Sequence, residues 1–352
     1  MKKTLVVLLA AAMLLTFSAC ITATPSETTP GITPSSEEAQ ASTFTPVSLD
    51  VAYMPNYSSL WAVLTGIEMG YFEEQGITIH LYEFADGPTE IAAMESGSID
   101  VSYIGPGAHR LCSTGNAYIF LMQQITDNDA VLGLKSHGVN SLNDLAGKNV
   151  AYASGTSSEA ILKLALDSVS LTMDDIKAYD MDTSNMVAAM TSGSVDACAT
   201  WSPNTLMILN ELGDDVIKFC TNIDFIDRVV NPASWVCTPD YAANNPDILT
   251  RFIRAMYKAM DYGSQEANFE QIATWVAAQC GSDFETAYGQ RDTGTWYNGS
   301  MVLDGIADGS IIGFYKMQQQ AFFDSEAVDP TTALDVETFV LSDFMIQAGD
   351  IY

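Results

Sequence analysis

The sequence predicts an α/β protein built from two similar lobes. Three observations carry that expectation. β-branched or aromatic runs alternate with amphipathic runs, a near repeat stands in the middle of the chain, and the body of about 300 residues is long enough for two cores.

The alternation begins at Val47. Val47 to Tyr53 alternates as a strand, Ser59 to Met69 has helical spacing, and Ile77 to Phe84 reads as a second strand. Pro88 opens the next helix, where a missing N–H deprives no carbonyl of a partner. Ile99 to Ile104 then makes a third strand.

The near repeat is Ile91-Ala-Ala-Met-Glu-Ser-Gly-Ser-Ile-Asp100, which returns 96 residues later as Val187-Ala-Ala-Met-Thr-Ser-Gly-Ser-Val-Asp196. In each copy a helix is expected to end at Ser-Gly, with Gly97 or Gly193 in the left-handed conformation that closes helices. A strand follows and runs into a proline turn: Gly105-Pro106-Gly107 in one copy, Trp201-Ser202-Pro203 in the other. Two copies are too few for a solenoid and suit one unit per lobe. Ligands of open α/β sheets bind beyond the carboxyl ends of the strands, so both turns are expected at one mouth, facing across a cleft.

Ahead of the body, Lys2 and Lys3 precede the apolar stretch Leu5 to Leu15, and Ser18-Ala19 stand before Cys20. Residues 1–19 read as a secretory signal peptide, because the apolar run falls short of the about 20 residues a spanning helix needs. Ser-Ala-Cys resembles the lipobox of bacterial lipoproteins, with Phe17 where that pattern usually has Leu. The resemblance implies a diacylglycerol on Cys20 and an exported protein held on the outer face of the cytoplasmic membrane. Residues 20–45, rich in Thr, Ser, Pro and Glu, bury too little apolar surface to fold and read as a tether.

The formal charge is −30, and without Lys2 and Lys3 it becomes −32, 12 basic against 44 acidic residues. Such a body repels nucleic acid and anionic lipid surfaces, which leaves the lipid as its expected membrane contact. Cys112, Cys198, Cys220, Cys237 and Cys280 contain no C-x-x-C pair and no metal-like spacing with histidine, so buried apolar thiols are expected. His80, His109 and His137 lack the setting of a zinc site or a nucleophile elbow. No Gly-x-Ser-x-Gly surrounds Ser157, and no glycine-rich phosphate loop is present. The expectation is a binding protein without cofactor, not an enzyme.

Six segments in order, Tyr53-Met-Pro-Asn56, Gly70-Tyr-Phe-Glu-Glu-Gln-Gly76, Ala93 to Asp100, Asp144-Leu-Ala-Gly-Lys148, Gly155-Thr-Ser-Ser158 and Ala199-Thr-Trp-Ser-Pro203, resemble the substrate-binding proteins for nitrate, taurine, alkanesulfonates and thiamine-pyrimidine precursors. The likeness covers nearly all of residues 47 to 262. It implies the type II periplasmic-binding-protein fold, each lobe a central, mostly parallel sheet flanked by helices. The first lobe would take residues 46–128 plus 230–352 and the second 129–229. Two hinge crossings join them, assigned here to Val131–Lys135 and Ala233–Cys237. The resemblance also implies a monomer that hands a small molecule to ABC permease and ATPase subunits. Pyrimidine synthases share the fold but carry a Cys-rich motif that has no match here. A ligand sensor without transport is the alternative class, and neighbouring transporter genes would separate the two.

For the ligand, Thr156, Ser157 and Ser158 start a helix, with Thr156 and Glu159 spaced as a capping box. Free N–H groups and hydroxyls at such a start can cradle an anion. Trp201 is the expected aromatic wall, and Trp235, beside Asn231, has a similar claim. Gly105 and Pro106 form the opposite lip. Asn56, Tyr57 and Ser58 offer amide, phenol and hydroxyl groups at the first strand-to-helix turn. His109 and Arg110 receive no role. The expected ligand is a small organic anion such as an alkanesulfonate, and the alternative is a neutral pyrimidine-like heteroaromatic stacked on Trp201 or Trp235.

Overall fold

The computed structural model describes residues 44–350 and 352. The signal peptide, Cys20 and nearly all of the tether lie outside them. The strands are β1 (Val47–Tyr53), β2 (Ile77–Glu83), β3 (Val101–Ile104), β4 (Tyr118–Thr126), β5 (Asp129–Leu134) and β6 (Asn149–Tyr152). They continue with β7 (Lys177–Asp180), β8 (Ala197–Trp201), β9 (Val216–Thr221), β10 (Pro232–Cys237) and β11 (Gly294–Trp296). Two sheets result, β11-β4-β10-β3-β1-β2 and β7-β6-β8-β5-β9, each flanked by helices.

Parallel pairing holds at β1–β2, β1–β3, β6–β7 and β6–β8. The remaining pairs are antiparallel, because β4, β5, β9 and β10 carry the chain out of one sheet and into the other. Both sheets are therefore mixed. The runs assigned to the hinge lie inside strands: Val131 to Leu134 belongs to β5 and Ala233 to Cys237 to β10. The chain passes between sheets just ahead of each, at Asp127-Asn128 and over residues 226–231.

The near repeat folds twice into one unit. The helices Gly87–Glu95 and Met186–Thr191 end before Gly97 (φ 77°) and Gly193 (φ 68°), whose positive φ a side chain would resist. Asp100 Oδ2 then accepts from the N–H of Asp50 at 2.9 Å, and Asp196 Oδ2 from the N–H of Asn149 at 2.7 Å. Each aspartate thus ties the start of its strand to the neighbouring parallel strand, which is why Ser-Gly-Ser-x-Asp recurs.

The first sheet packs against the helices Tyr57–Glu68 and Pro246–Gly263, with Trp61, Trp235, Phe252 and Tyr257 fully buried between them. A second core of Val131, Val150, Leu162 and Leu166 fills the other lobe. Residues beyond Gly263 add β11 and helices such as Phe269–Cys280 and Ser310–Asp324 to the first lobe. Four of the five described cysteines are buried, Cys280 is half-buried, and none is paired. Among the described residues no helix is long and apolar enough to cross a membrane.

Candidate ligand site between the two lobes

The carboxyl ends of β1, β3, β6 and β8 converge on one cavity. From the first lobe come Met54 and Asn56 after β1, Tyr103 at the end of β3, and the Gly105-Pro106-Gly107 turn. Thr156, Ser157 and Trp201 come from the second lobe, and Thr126 and Asn128 from the crossing. The cavity holds about 30 Å³, room for a water molecule. Pro106-Gly107 is in contact with the start of the helix Ser157–Asp167. A methyl on Gly107 would lie 2.1 Å from the Thr156 carbonyl carbon and 2.2 Å from the Ser157 nitrogen. A larger ligand therefore enters only when the lobes stand further apart.

Of the residues read from the sequence, Asn56, Gly105, Pro106, Thr156, Ser157 and Trp201 line this cavity. Asn56 caps the helix Tyr57–Glu68 by accepting from the N–H of Ser59 at 2.8 Å, and its Nδ2 makes no hydrogen bond among the described residues. The others do not reach it. Tyr57 turns into the core, its ring 5.2 Å from Trp296, and its N–H donates to Gln290. Ser58 is buried, and its carbonyl accepts from Gln123 Nε2–H at 2.8 Å. Trp235 is fully buried between Tyr103 and Phe252 and donates Nε1–H to Gln123 at 2.7 Å. It sits mid-strand in β10 with β3 and β4 on either side, so its indole fills the core and forms no cleft wall. Asn231 faces a separate groove, and its carbonyl accepts from Thr126.

Sequence reading missed Met54, Tyr103, Gly107, Thr126 and Asn128. Thr126 and Asn128 flank the passage between sheets, a position legible once the crossing is placed just ahead of β5 and not within it.

The hydroxyls at the helix start donate inward. Thr156 Oγ1–H donates to the carbonyl of Ala153 at 2.8 Å, and Ser158 Oγ–H to that of Ala199 at 2.7 Å. Ser157 Oγ–H donates to Asp129 Oδ1 at 2.5 Å, and Asn222 Nδ2–H to Asp129 Oδ2 at 2.9 Å. The capping box also differs from expectation. Thr156 Oγ1 accepts from Ser158 N–H, while Glu159 reaches one residue further back, to Gly155 N–H.

Electrostatics follow from burial. Asp129 is fully buried and has no cation beside it; desolvation lifts its pKa to about 6 against the pull of Ser157 and Asn222. Glu90, buried in the helix Gly87–Glu95 and accepting from Ser102 Oγ–H, is pushed well up by desolvation. Tyr103 is raised first by burial and next by Glu90. Among the described residues no lysine, arginine or histidine lines the cavity. Arg110 stays at the rim, its Nε–H 3.4 Å from the Gly155 carbonyl.

Two mixed sheets that meet over a cleft define the chain as a periplasmic-binding-protein fold. The chain belongs to the NMT1/THI5-like family, whose model matches residues 58–267. A protein of Brucella abortus (strain 2308) named as a binding protein is 27% identical over 298 residues, 85% of this chain and 91% of its own. The crystal structure of the periplasmic aliphatic sulphonate binding protein SsuA from Escherichia coli superposes with a TM-score of 0.64 at 20% identity, covering 86% of this chain and 100% of that one. The desulfurization enzyme DSZB has the same fold, with a TM-score of 0.62 at 13% identity over 86% of this chain and 99% of its own.

Proposed function

We propose that this protein is the extracytoplasmic solute-binding component of an ABC importer, which captures a small organic molecule in the cavity between its lobes and performs no chemistry on it. Supporting this, residues from both lobes and from the crossing line one space, so a ligand there is held by both at once. In the same reading the chain acts as a monomer, is held to the membrane through a lipid on Cys20, and passes its ligand to permease and ATPase subunits.

The observation that supports one ligand class over the other is the direction of the hydroxyl groups. An alkanesulfonate-like anion needs donors, yet Thr156, Ser157 and Ser158 already donate to protein acceptors. The N–H of Ser157 is covered by Gly107, and the buried carboxylate of Asp129 lies behind. That field opposes an anion and suits a neutral ligand that donates hydrogen bonds. The geometry thus favours a neutral pyrimidine-like heteroaromatic, stacked on Trp201 and bonded to Asn56 and the Ser157 oxygen. Stacking on Trp201 would add about 0.5–1.5 kcal/mol beyond burial.

Isothermal titration with aminopyrimidines, flavins, alkanesulfonates and nitrate tests this. A neutral heteroaromatic is expected to bind one-to-one, with affinity reduced by about tenfold in Trp201→Ala and little altered by salt. Tighter binding of a sulfonate or nitrate than of any neutral ring would overturn the ligand class. Turnover of a bound compound would overturn the assignment as a binding protein.

A further inference from the structure

Pro106, Gly107 and Ser157 line a second space as well as the small cavity, so the contact of Gly107 with Thr156 and Ser157 is a partition. Beyond it lies a groove of about 820 Å³ between the helix Ser157–Asp167 of the second lobe and the helix Ser310–Asp324 of the first. Organic ligands occupy spaces of about 300–1,000 Å³. Ile161 and Leu164 form one wall, Ala321 and Phe322 the other.

Gln318, a lining residue only 2% exposed, has its Oε1 2.8 Å from His109 Nδ1, while its Nε2 has no partner. His109 is neutral there, since burial lowers its pKa to about 4. A buried donor left unpaired is unfavourable, and an acceptor supplied by a ligand relieves it once the Gln318 side chain, closed to solvent at Nε2, turns into the groove. The rim selects against negative charge. Lys163 is engaged by Glu159 at 2.7 Å and Arg228 by Asp167 at 2.9 Å, whereas Asp174 and Glu326 form no ion pair among the described residues.

We infer that this groove is a second binding site, distinct from the small cavity, for a neutral amphipathic organic molecule that offers a carbonyl or ether oxygen to Gln318 and an apolar body to Leu164 and Phe322. Its walls belong to different lobes, so an occupant bridges them and holds the lobes together.

The probe is Nile red, a neutral amphipath with a carbonyl, titrated into the full-length protein and followed by emission. Saturable one-to-one binding with blue-shifted emission is expected. Ala160 and Ala321 are half-buried lining residues on opposite walls. Ala160→Trp and Ala321→Trp are each expected to weaken binding by about tenfold or more, and Gln318→Leu by about fivefold. Thermal unfolding verifies that each variant folds, and either tryptophan variant suffices alone. The anionic dye anilinonaphthalene sulfonate is expected to bind more weakly than Nile red. Absence of saturable binding, indifference to both tryptophan substitutions, or preference for the anionic dye overturns the proposal. Equal loss in Trp201→Ala would place the dye in the smaller cavity and overturn it too, without touching the transport reading.

Discussion

Gly107→Ala separates closure from folding. The added methyl would stand 2.1 Å from Thr156 C, 2.2 Å from Ser157 N and 2.6 Å from Thr156 O. Carbon contacts begin near about 3.5 Å, so the neighbours would have to retreat by more than about 1 Å. They are main-chain atoms at a helix start that Ser158 fixes to Ala199. Gly107 is not among the positive-φ glycines, so alanine meets no backbone penalty once the lobes part. Overpacking of this kind costs about 1–3 kcal/mol, and lobe separation relieves it. A shift of about 2 kcal/mol makes the closed form about 30-fold rarer relative to the open one. Small-angle scattering is expected to show a larger radius of gyration than wild type, and titration a ligand affinity weaker by the same factor. Gly105→Ala is the matched control, since nothing lies within 4 Å of its added methyl. Superimposable scattering curves and equal affinities for wild type and Gly107→Ala would refute the reasoning.

Asp129 binds its proton more tightly when folded, with a pKa of about 6 against a reference of 3.8. Its ionisation therefore erodes stability as pH rises through that window, by about 3 kcal/mol once complete, and the penalty is absent below it. The stability of Asp129→Asn relative to wild type is expected to grow between pH 4 and 7 in urea titrations, and a flat difference would contradict a buried carboxylate. Trp235→Ala should lower stability by about 3–5 kcal/mol, read from the urea midpoint, while leaving ligand affinity under native conditions within about twofold. Selective loss of affinity with stability intact would return Trp235 to the cleft.

Much of the scaffold was legible because its signals are local. β1 has the bounds its alternation gives, and the repeat betrayed itself through residues that meet backbone demands within a few positions: glycines at φ of 77° and 68°, and aspartates that bind a neighbouring strand start. The site was legible only in part. Trp201 and Trp235 look alike in sequence, each at a strand beside proline or serine. What separates them is that Trp235 lies mid-strand between two neighbours, whereas Trp201 closes β8 at the cavity. The direction of the hydroxyl groups was not legible at all. Ser157 and Ser158 donate to Asp129, 28 residues away, and Ala199, 41 residues away, so only the assembled sheet decides what the helix start has left to offer.

The two passages between the sheets are laced together. Thr126 N–H donates to the Asn231 carbonyl at 2.8 Å, Ile223 N–H to Asp127 Oδ1 at 2.9 Å, and Asn222 exchanges a pair of hydrogen bonds with Asp129. Twisting one passage pulls on the other through these bonds, so the two are coupled like one ribbon and share the angle between the lobes. A molecule in the small cavity and a molecule in the large groove both act on that angle. Thermodynamic reciprocity then requires each to change the affinity of the other by the same factor. If both favour the closed angle, the proposed groove site becomes a dial on capture: a second compound would set the concentration at which the first is held.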